Sequence, residues 1–548
     1  MRNYRKYLLL AGSLCALAAS VSGCQAREAA DNKVQETGSI ETEPLKNSGE
    51  ETGNLTTIFC DQTAVSINGN GASESDGIIT ITEGGTYRLE GILTEGRIVV
   101  DAAKEDAIIL ELNGFEITSS DLSAIYGKKS GEIRLRLMDG TVNQVTDGEE
   151  YALEEGEDEP DAAIFTKKDL IIEGNGALEV TGNYNDGIRS KDNLYILSGE
   201  ITVTAKEDGI KGKDSLVVDG GTITVHAGDD GMKSKGAVIV NDGIIQVAES
   251  YEGIEAQTID INGGSLDITS TDDGLNAVED TSKTEETGNG KGRTAIQENA
   301  YIRISGGTIH INASADGVDS NGHFYVDGGE LYISGPTSSR DGALDYDGNG
   351  IITGGVVIAA GSSGMAQTFS DGSEQNSILV YFENTQEAGT EITVVDASGN
   401  LIASYTPVKE YSSAVISAPG LETEGTYKIT AGEETKEVTI TTVLTTSGSR
   451  AAGTMPGGHR GQGGMGEGRP EMNGGFEMEG RPEMEDRPEM KGRTEMEGKT
   501  EMNDGSEMNP ENMPDNRESE SSQNQEGQST EKDQRPGGRE MGRERNKG

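Results

Sequence analysis

Acidic residues followed directly by glycine recur along the middle of the sequence. The seven positions are separated by 22, 22, 22, 21, 43 and 25 residues, and they are Asp186, Asp208, Asp230, Glu252, Asp273, Asp316 and Asp341. An acid before glycine suits a turn, because glycine tolerates positive φ and Asp hydrogen-bonds to nearby backbone. Asn would serve such a turn equally well, yet none of these positions holds Asn. The pattern therefore indicates that the carboxylate charge matters as well as the bend.

Basic residues accompany the first three acids, in the stretches "DGIRSK", "DGIKGK" and "DGMKSK". They fall in two rows with the same period, and they are Arg189, Lys211 and Lys233, then Lys191, Lys213 and Lys235. If residues one period apart stack, each row lies beside the acids and neutralises part of their charge. Such bases can also meet the carboxylates of an acidic polymer, so we predict that these six residues bind carbohydrate.

After Lys235 the bases end, whereas oxygen-bearing side chains continue. Stacked carboxylates about 4.8 Å apart repel by roughly 3 kcal/mol at an effective dielectric constant of about 20, so they need counter-charge. Ca²⁺ supplies it and takes six to eight oxygen ligands. We therefore predict calcium ligands, and they are Asp186, Asp208, Asp230, Asp272, Asp273, Asn276, Asp316, Asp319, Asn321, Asp345 and Asp347. In "DYDGNG" the last two match the first half of an EF-hand loop, but position twelve is Val356.

Short stretches of alternating apolar residues separate the acids, as in "LYILSGEITVTAKE" and "LVVDGGTITVHAGD". They predict two or three short strands per repeat, with turns at Gly-Gly, Asp-Gly or Ser-Gly. A period near twenty residues with several strands per unit is typical of a solenoid. Helical periodicity and regularly placed leucines are lacking, so the pattern favours an all-β parallel β-helix over leucine-rich repeats.

Five segments are predicted along the 548 residues. Residues 1–23 read as a signal peptide that ends at "VSGC", which resembles the lipobox of bacterial lipoproteins and makes Cys24 the lipidated residue. Residues 24–54 read as an acidic flexible tether, 55–374 as the parallel β-helix, 375–446 as a small antiparallel β-sandwich or cap, and 447–548 as a disordered Gly-, Glu- and Met-rich tail. We therefore expect an extracytoplasmic protein, anchored by its lipid to a bacterial membrane at the cell surface.

The lipobox, the "DGI" repeats, "DGVDSNG", "GALDYDG" and the Gly- and Met-rich tail together resemble a bacterial family of carbohydrate-binding domain-containing proteins. The resemblance covers roughly residues 55–446. It implies a secreted or lipid-anchored, right-handed parallel β-helix, similar in architecture to pectate lyases, that binds calcium and acidic plant polysaccharides. The hydrophilic insertion at 278–298 departs from a regular repeat and leaves the ligand face there undefined.

Three functions fit these patterns. The first is a non-catalytic lipoprotein that binds an acidic, polygalacturonate-like polysaccharide with Ca²⁺. The second is a pectate-lyase-like enzyme, which needs calcium to acidify a proton and a base to remove it. A regular row repeats these ingredients without singling out one site, so no catalytic residue is predicted. The third is an adhesin or spacer. The net charge of −51 argues against nucleic acid and anionic membrane as direct partners, and the oligomeric state stays open.

Overall fold

The computed structural model describes residues 55–280 and 296–450, and within these residues every regular element is a β-strand. The all-β prediction is confirmed. The first part of the chain forms ten strands, which are β1 (Leu55–Gln62), β2 (Ala64–Asn68), β3 (Ala72–Ser75), β4 (Ile78–Ile81), β5 (Gly85–Leu93), β6 (Arg97–Asp101), β7 (Ile108–Thr118), β8 (Ile125–Lys129), β9 (Ile133–Leu137) and β10 (Val142–Thr146).

The repeats that follow contribute three short strands each. They are β11 (Ala162–Thr166), β12 (Leu170–Gly174), β13 (Ala177–Gly182), β14 (Asp186–Ser190), β15 (Asn193–Ile196), β16 (Glu200–Ala205), β17 (Ile210–Gly212), β18 (Ser215–Val218), β19 (Thr222–Ala227), β20 (Met232–Lys233), β21 (Ala237–Val240), β22 (Ile244–Glu249), β23 (Ile254–Ala256), β24 (Thr258–Ile261), β25 (Ser265–Ser270), β26 (Leu275–Ala277), β27 (Tyr301–Ile304), β28 (Thr308–Ala313), β29 (Val318–Ser320), β30 (His323–Val326), β31 (Glu330–Ser334), β32 (Leu344–Tyr346), β33 (Gly350–Ile352) and β34 (Val356–Gly361).

Each strand from β11 to β31 pairs in parallel with the strand three places further along the chain. Thus β14 pairs with β17 and β17 with β20, and the same holds for β15 with β18 and for β16 with β19. The register follows the sequence period, because Ile188 lies opposite Ile210 and Ile210 opposite Met232. A sheet of 12 strands holds the "DGI" strands, and a sheet of 25 strands holds the other two rows.

The core consists of the apolar residues that alternate with polar ones along these strands. On the 12-stranded sheet the inward row is almost completely buried, and it contains Ile188, Ile210, Met232, Ile254, Leu275, Val318 and Leu344. Because successive side chains of a strand point to opposite faces, the residue after each of these points outward. The same alternation that buries the core therefore sets out one row of polar side chains on the outer face.

The glycine after each repeated acid is required by close packing. A Cβ atom on Gly209 would lie 2.3 Å from Cγ1 of Val225 and 2.7 Å from the carbonyl oxygen of Gly231. The expectation that these glycines adopt positive φ is wrong, because the positive values lie in the later turns, for example 120° at Gly199 and 98° at Gly221. The acid–glycine pair thus marks a point where the backbone of one repeat passes close to the core of the next.

The chain then forms seven further strands. They are β35 (Ser377–Gln386), β36 (Ile392–Asp396), β37 (Leu401–Tyr405), β38 (Tyr411–Ser417), β39 (Thr426–Ala431), β40 (Glu434–Thr439) and β41 (Leu444–Ser447). Strand β38 pairs antiparallel with both β34 and β35, so the 25-stranded sheet continues across the boundary predicted at residue 374. Strands β36, β37, β39 and β40 form a separate antiparallel sheet of four.

Several predicted features lie outside the described residues. They are the signal peptide, Cys24, the tether at 24–54, most of the insertion and the tail beyond residue 450. These assignments, and the segment boundaries, stay predictions. Among the described residues no helix has the length and apolar character needed to cross a membrane.

Candidate cation and polysaccharide site

One row of outward side chains runs along the 12-stranded sheet, one residue from each strand. We call it the outward column, and its members in strand order are Arg189, Lys211, Lys233, Glu255, Asn276, Asp319 and Asp345. The first three are basic and the remaining four are acids or an amide. The column therefore changes from cationic to oxygen-rich at Glu255.

The repeated acids lie beside this column and hold successive repeats together. One carboxylate oxygen of Asp186 accepts a hydrogen bond from the backbone N–H of Asp208 at 3.2 Å, and Asp208 accepts from Asp230 at the same distance. Asp273 accepts from the N–H of Asp316 at 2.8 Å. The turn role considered from the sequence is therefore real, but its partner is the next repeat. In Asp186, Asp208 and Asp273 it occupies one carboxylate oxygen and leaves the other for a cation.

In the first half of the column, lysine and arginine take the second oxygen. Lys211 pairs with Asp208 and lies 3.5 Å from Asp186, and Lys233 pairs with Asp230. Arg189 lies 3.5 Å from Asp186. The three repeated acids are 1–2% exposed, so water cannot solvate their carboxylates. The ion pairs supply the compensating charge instead.

All six predicted carbohydrate-binding bases have a carboxylate neighbour. Arg189 pairs with Asp161 and Lys191 with Glu159. Lys213 lies 3.6 Å from Asp214, and Lys235 lies 3.2 Å from Asp280. A polymer carboxylate would therefore have to join or displace an existing ion pair at any of these bases.

In the second half of the column the carboxylates face one another. Asp273, Asp316 and Asp319 each place an oxygen within 4.8 Å of the others, and Glu252, Asp272 and Asp273 do the same. We call these five residues the acid cluster. Among the described residues no salt bridge joins any of them to a Lys, Arg or His. The balancing bases of the first half thus have no counterpart here.

Burial and mutual repulsion raise the pKa values of four carboxyls of the cluster, those of Glu252, Asp273, Asp316 and Asp319. The pKa of Asp316 rises to about 8, because the group is buried and lies near Asp273, Asp345 and Asp319. The same causes raise the pKa of Asp319 to about 7 and that of Asp273 to about 6. Burial and the charges of Asp230 and Glu255 raise the pKa of Glu252 to about 9. Without a cation, the cluster therefore favours bound protons near neutral pH.

Asn276 extends the cluster with a neutral oxygen. Its Nδ2 donates to Glu252 at 2.9 Å, whereas its Oδ1 is inaccessible to solvent and accepts no hydrogen bond from the described residues. Asn276 lies opposite Asp319 in the column. A buried amide oxygen that accepts no hydrogen bond is unfavourable unless it contacts a cation or a water molecule.

The other predicted ligands lie around the cluster. Asp345 follows Asp319 in the column, and Asp347 lies in the exposed turn after β32, where its N–H donates to the carbonyl of Ser320 at 2.9 Å. Asn321 lies in the turn after β29. "DYDGNG" thus spans two strands and a turn. Three other predicted calcium ligands, Asp186, Asp208 and Asp230, lie in the basic half of the column. A carboxylate oxygen of each already pairs with a lysine or arginine.

Four further acids shape the site, although the predicted set of calcium ligands leaves them out. Asp229 joins Asp208 and Asp230 in a further group of close carboxylates, and Glu255 joins Asp230 and Glu252. Asp161 and Glu159 neutralise bases from the preceding loop. Aligning the repeats reveals Glu255, because it occupies the position of Lys233, but the loop acids follow no period.

The donors of the acid cluster are all carboxylate or amide oxygens, without sulfur or imidazole. Hard divalent cations such as Ca²⁺ prefer this set. The chain thus combines an all-β fold with an oxygen-rich row of side chains on the outer face of the 12-stranded sheet.

Comparison with known proteins finds a family model and a relative that are both described as carbohydrate-binding. Residues 75–342 match the model of a family described as carbohydrate-binding domain-containing protein. A protein of that description from Acetivibrio thermocellus is 33% identical over 204 residues, which is 37% of this chain and 66% of the relative, slightly less than two thirds of its length. A solved gadolinium derivative, described as the polysaccharide lyase-like protein from C. thermocellum, is 28% identical, with a TM-score of 0.35 over 55% of this chain and 96% of that one. The chain is therefore similar to carbohydrate-binding proteins over its repeats.

Proposed function

We propose that this protein is a cell-surface lipoprotein whose repeats bind an acidic, polygalacturonate-like polysaccharide through Ca²⁺, without cleaving it. In this proposal the repeats form a right-handed parallel β-helix, residues 1–23 direct export and Cys24 carries the lipid. The parallel pairing of strands three places apart supports the β-helix. The match to carbohydrate-binding domain-containing proteins supports a sugar ligand.

The acid cluster is the observation that carries the calcium part of the proposal. Asp273, Asp316 and Asp319 bring three carboxylates together without a base among the described residues, and Asn276 adds an orphaned oxygen. Ca²⁺ satisfies all four groups at once. Because calcium accepts six to eight oxygens, ligand positions are left for water or for the carboxylate and hydroxyl oxygens of a sugar.

The acidic nature of the polymer follows from the same geometry. A calcium ion held on the surface attracts a uronate carboxylate more strongly than a neutral hydroxyl, because the interaction is between charges. Contacts at Arg189, Lys211 and Lys233 can add along the column when a linear polymer spans several repeats. The existing ion pairs make these contacts secondary to the calcium contact.

The test is binding to polygalacturonate and to a neutral glucan, each with Ca²⁺ and with chelator. We expect calcium-dependent binding to polygalacturonate only. The double variant Asp273→Asn, Asp316→Asn should lose it, whereas Asp242→Asn, which removes an exposed acid outside the cluster, should retain it.

The absorbance of unsaturated uronates is followed in the same samples. Growth of that absorbance would make the protein a lyase. A folded protein that binds no acidic glycan in the presence of calcium would leave the adhesin or spacer function.

A further inference from the structure

A cavity of about 540 Å³ lies at the opposite end of the 12-stranded sheet from the acid cluster. Its floor includes Arg97 and Val99 of β6 and Tyr126 and Lys128 of β8, and its wall is the segment 152–160. The volume falls within the range of about 300–1,000 Å³ that is usual for small-molecule sites. It is therefore large enough for a sugar residue.

The wall segment is fixed in place by specific contacts. The N–H of Ala152 donates to the carbonyl of Asp121 at 2.8 Å. Tyr151 stacks on Tyr184 with 4.0 Å between ring centres and donates its hydroxyl proton to Asp147 at 2.6 Å. These contacts hold the start of the segment, and the ion pair of Lys191 with Glu159 holds its end. The cavity therefore does not have to be created by a ligand.

Arg97 is the distinctive residue of the cavity. Lys128 lies 2.8 Å from Asp101 and Lys167 lies 3.9 Å from Glu159, so both lysines have carboxylate partners. Arg97 is a half-buried residue, and its guanidinium has no carboxylate or other acceptor among the residues that the structure describes. Arginine binds a carboxylate through two parallel hydrogen bonds, so a guanidinium without a protein acceptor is available for such a ligand.

The remaining lining suits the rest of a sugar ring. The ring of Tyr126 packs its partner Phe165 edge to face at 5.9 Å and also lines the cavity, beside Val99. Aromatic faces stack against the C–H face of a pyranose through apolar contact. Glu154 and Glu157 are exposed at the mouth, where carboxylates accept hydrogen bonds from hydroxyl groups.

We propose that this cavity binds one uronate residue, with its carboxylate on Arg97, its ring over Tyr126 and its hydroxyls toward Glu154 and Glu157. The site needs no calcium. The inference rests on the proposed function in that it names a second contact for the same class of polymer.

Its position connects it to the outward column. Tyr126 pairs with Phe165 and Phe165 with Arg189, so the cavity continues the column at its basic end. From Tyr126 on β8 to Asp319 on β29 there are seven strand spacings, or roughly 34 Å at about 4.8 Å each. A linear polymer that follows the column can therefore reach both the cavity and the acid cluster.

The experiment uses the full chain in chelator, with D-galacturonate and D-galactose as probes, since they differ in the C6 carboxylate. Binding is measured by calorimetry and ligand-observed NMR. We expect galacturonate to bind at least about tenfold more tightly than galactose, because a charge-assisted pair contributes roughly 1.5–3 kcal/mol. Arg97→Ala should remove this preference and leave the affinity for galactose within about twofold of the wild-type value. Tyr126→Ala should weaken the binding of both sugars.

Arg303→Ala, on the other sheet, is the matched control and should change neither affinity. Arg97→Gln keeps most of the side chain and replaces Arg97→Ala if that variant misfolds. Equal affinity for the two sugars, unchanged galacturonate binding in the Arg97 variants, or no saturable binding would overturn the proposal. Calcium-dependent binding of polygalacturonate is measured for the same variants. Failure of the cavity proposal abolishes the galacturonate preference in chelator, whereas failure of the proposed function abolishes the calcium-dependent binding of the polymer.

Discussion

Replacing Asp319 by Asn tests the acid cluster most directly, because it removes one charge and keeps the shape of the side chain. Asp319 places an oxygen within 4.8 Å of oxygens on Asp273 and Asp316. Without calcium the substitution relieves repulsion and should stabilise the protein. With calcium it removes a ligand and should reduce the stabilisation that the ion gives. We therefore expect Asp319→Asn to increase stability in chelator and to decrease the stabilisation by calcium.

The magnitude follows from the separation. Two carboxylates about 4.8 Å apart repel by roughly 3 kcal/mol at an effective dielectric constant of about 20. Asp319 has two such neighbours, but partial exposure and proton binding relieve most of the repulsion, so we expect a gain of about 1–3 kcal/mol in chelator. In a body of this size that raises Tm by a few degrees, at about 2 °C per kcal/mol. Calcium at 100 times its Kd stabilises the wild type by about 2.7 kcal/mol, and the variant should lose most of this.

Thermal unfolding of the full chain is followed by circular dichroism above pH 8, in chelator and in excess Ca²⁺, with Na⁺ at matched ionic strength. Asp242→Asn removes the same charge from an exposed turn and should show neither effect. The reasoning is refuted if Asp319→Asn lowers Tm in chelator, or if calcium stabilises it as much as the wild type.

Three further predictions concern stability. In chelator, Tm should fall as pH rises from about 5 to 9, because the pKa values of Asp273 and Asp316 are raised to about 6 and about 8 in the folded protein. Their protonation stabilises the fold fully below the unfolded pKa of about 4, and this stabilisation is lost as pH rises through the folded pKa values. A Tm that does not change with pH contradicts this. Lys211→Ala should lower the free energy of unfolding in urea by about 3 kcal/mol, because it leaves buried carboxylates without their counter-charge. Lys213→Ala removes an exposed ion pair and should lower it by less than about 1 kcal/mol. Equal losses in the two variants contradict this. Gly209→Ala should destabilise by about 1–3 kcal/mol or more, since its Cβ meets Val225 at 2.3 Å; an unchanged urea midpoint contradicts this.

The amino-acid pattern was enough to predict that the chain is all-β and which residues share a row. The period of 22 residues at Asp186, Asp208 and Asp230 appears in the structure as strand register, because each repeat hydrogen-bonds to the next and a fixed length brings equivalent residues into line. Alternation of apolar and polar residues determined which side chains enter the core. The alternation lies within each repeat, and the period follows from comparing one repeat with the next.

The sequence also indicated where the balance of charge changes, since the bases end at Lys235. It did not show how that balance is achieved. Asp161 and Glu159 belong to a loop outside the repeats, yet they take up Arg189 and Lys191, two of the bases predicted to bind carbohydrate. No period marks such residues, because the fold of the loop alone places them there.

The partner of each polar group depends on how distant segments of the chain pack. The glycine after each acid suggested a turn with positive φ, but the contact of Gly209 with Val225 and with the next repeat is a matter of packing between distant segments. Within the described residues, the Oδ1 of Asn276 and the guanidinium of Arg97 meet no hydrogen-bond partner, and this too depends on how distant segments pack. Periodicity determines which residues are neighbours along the column. The number of oxygens, bases and protons around each of them depends on three-dimensional distances that no local pattern records.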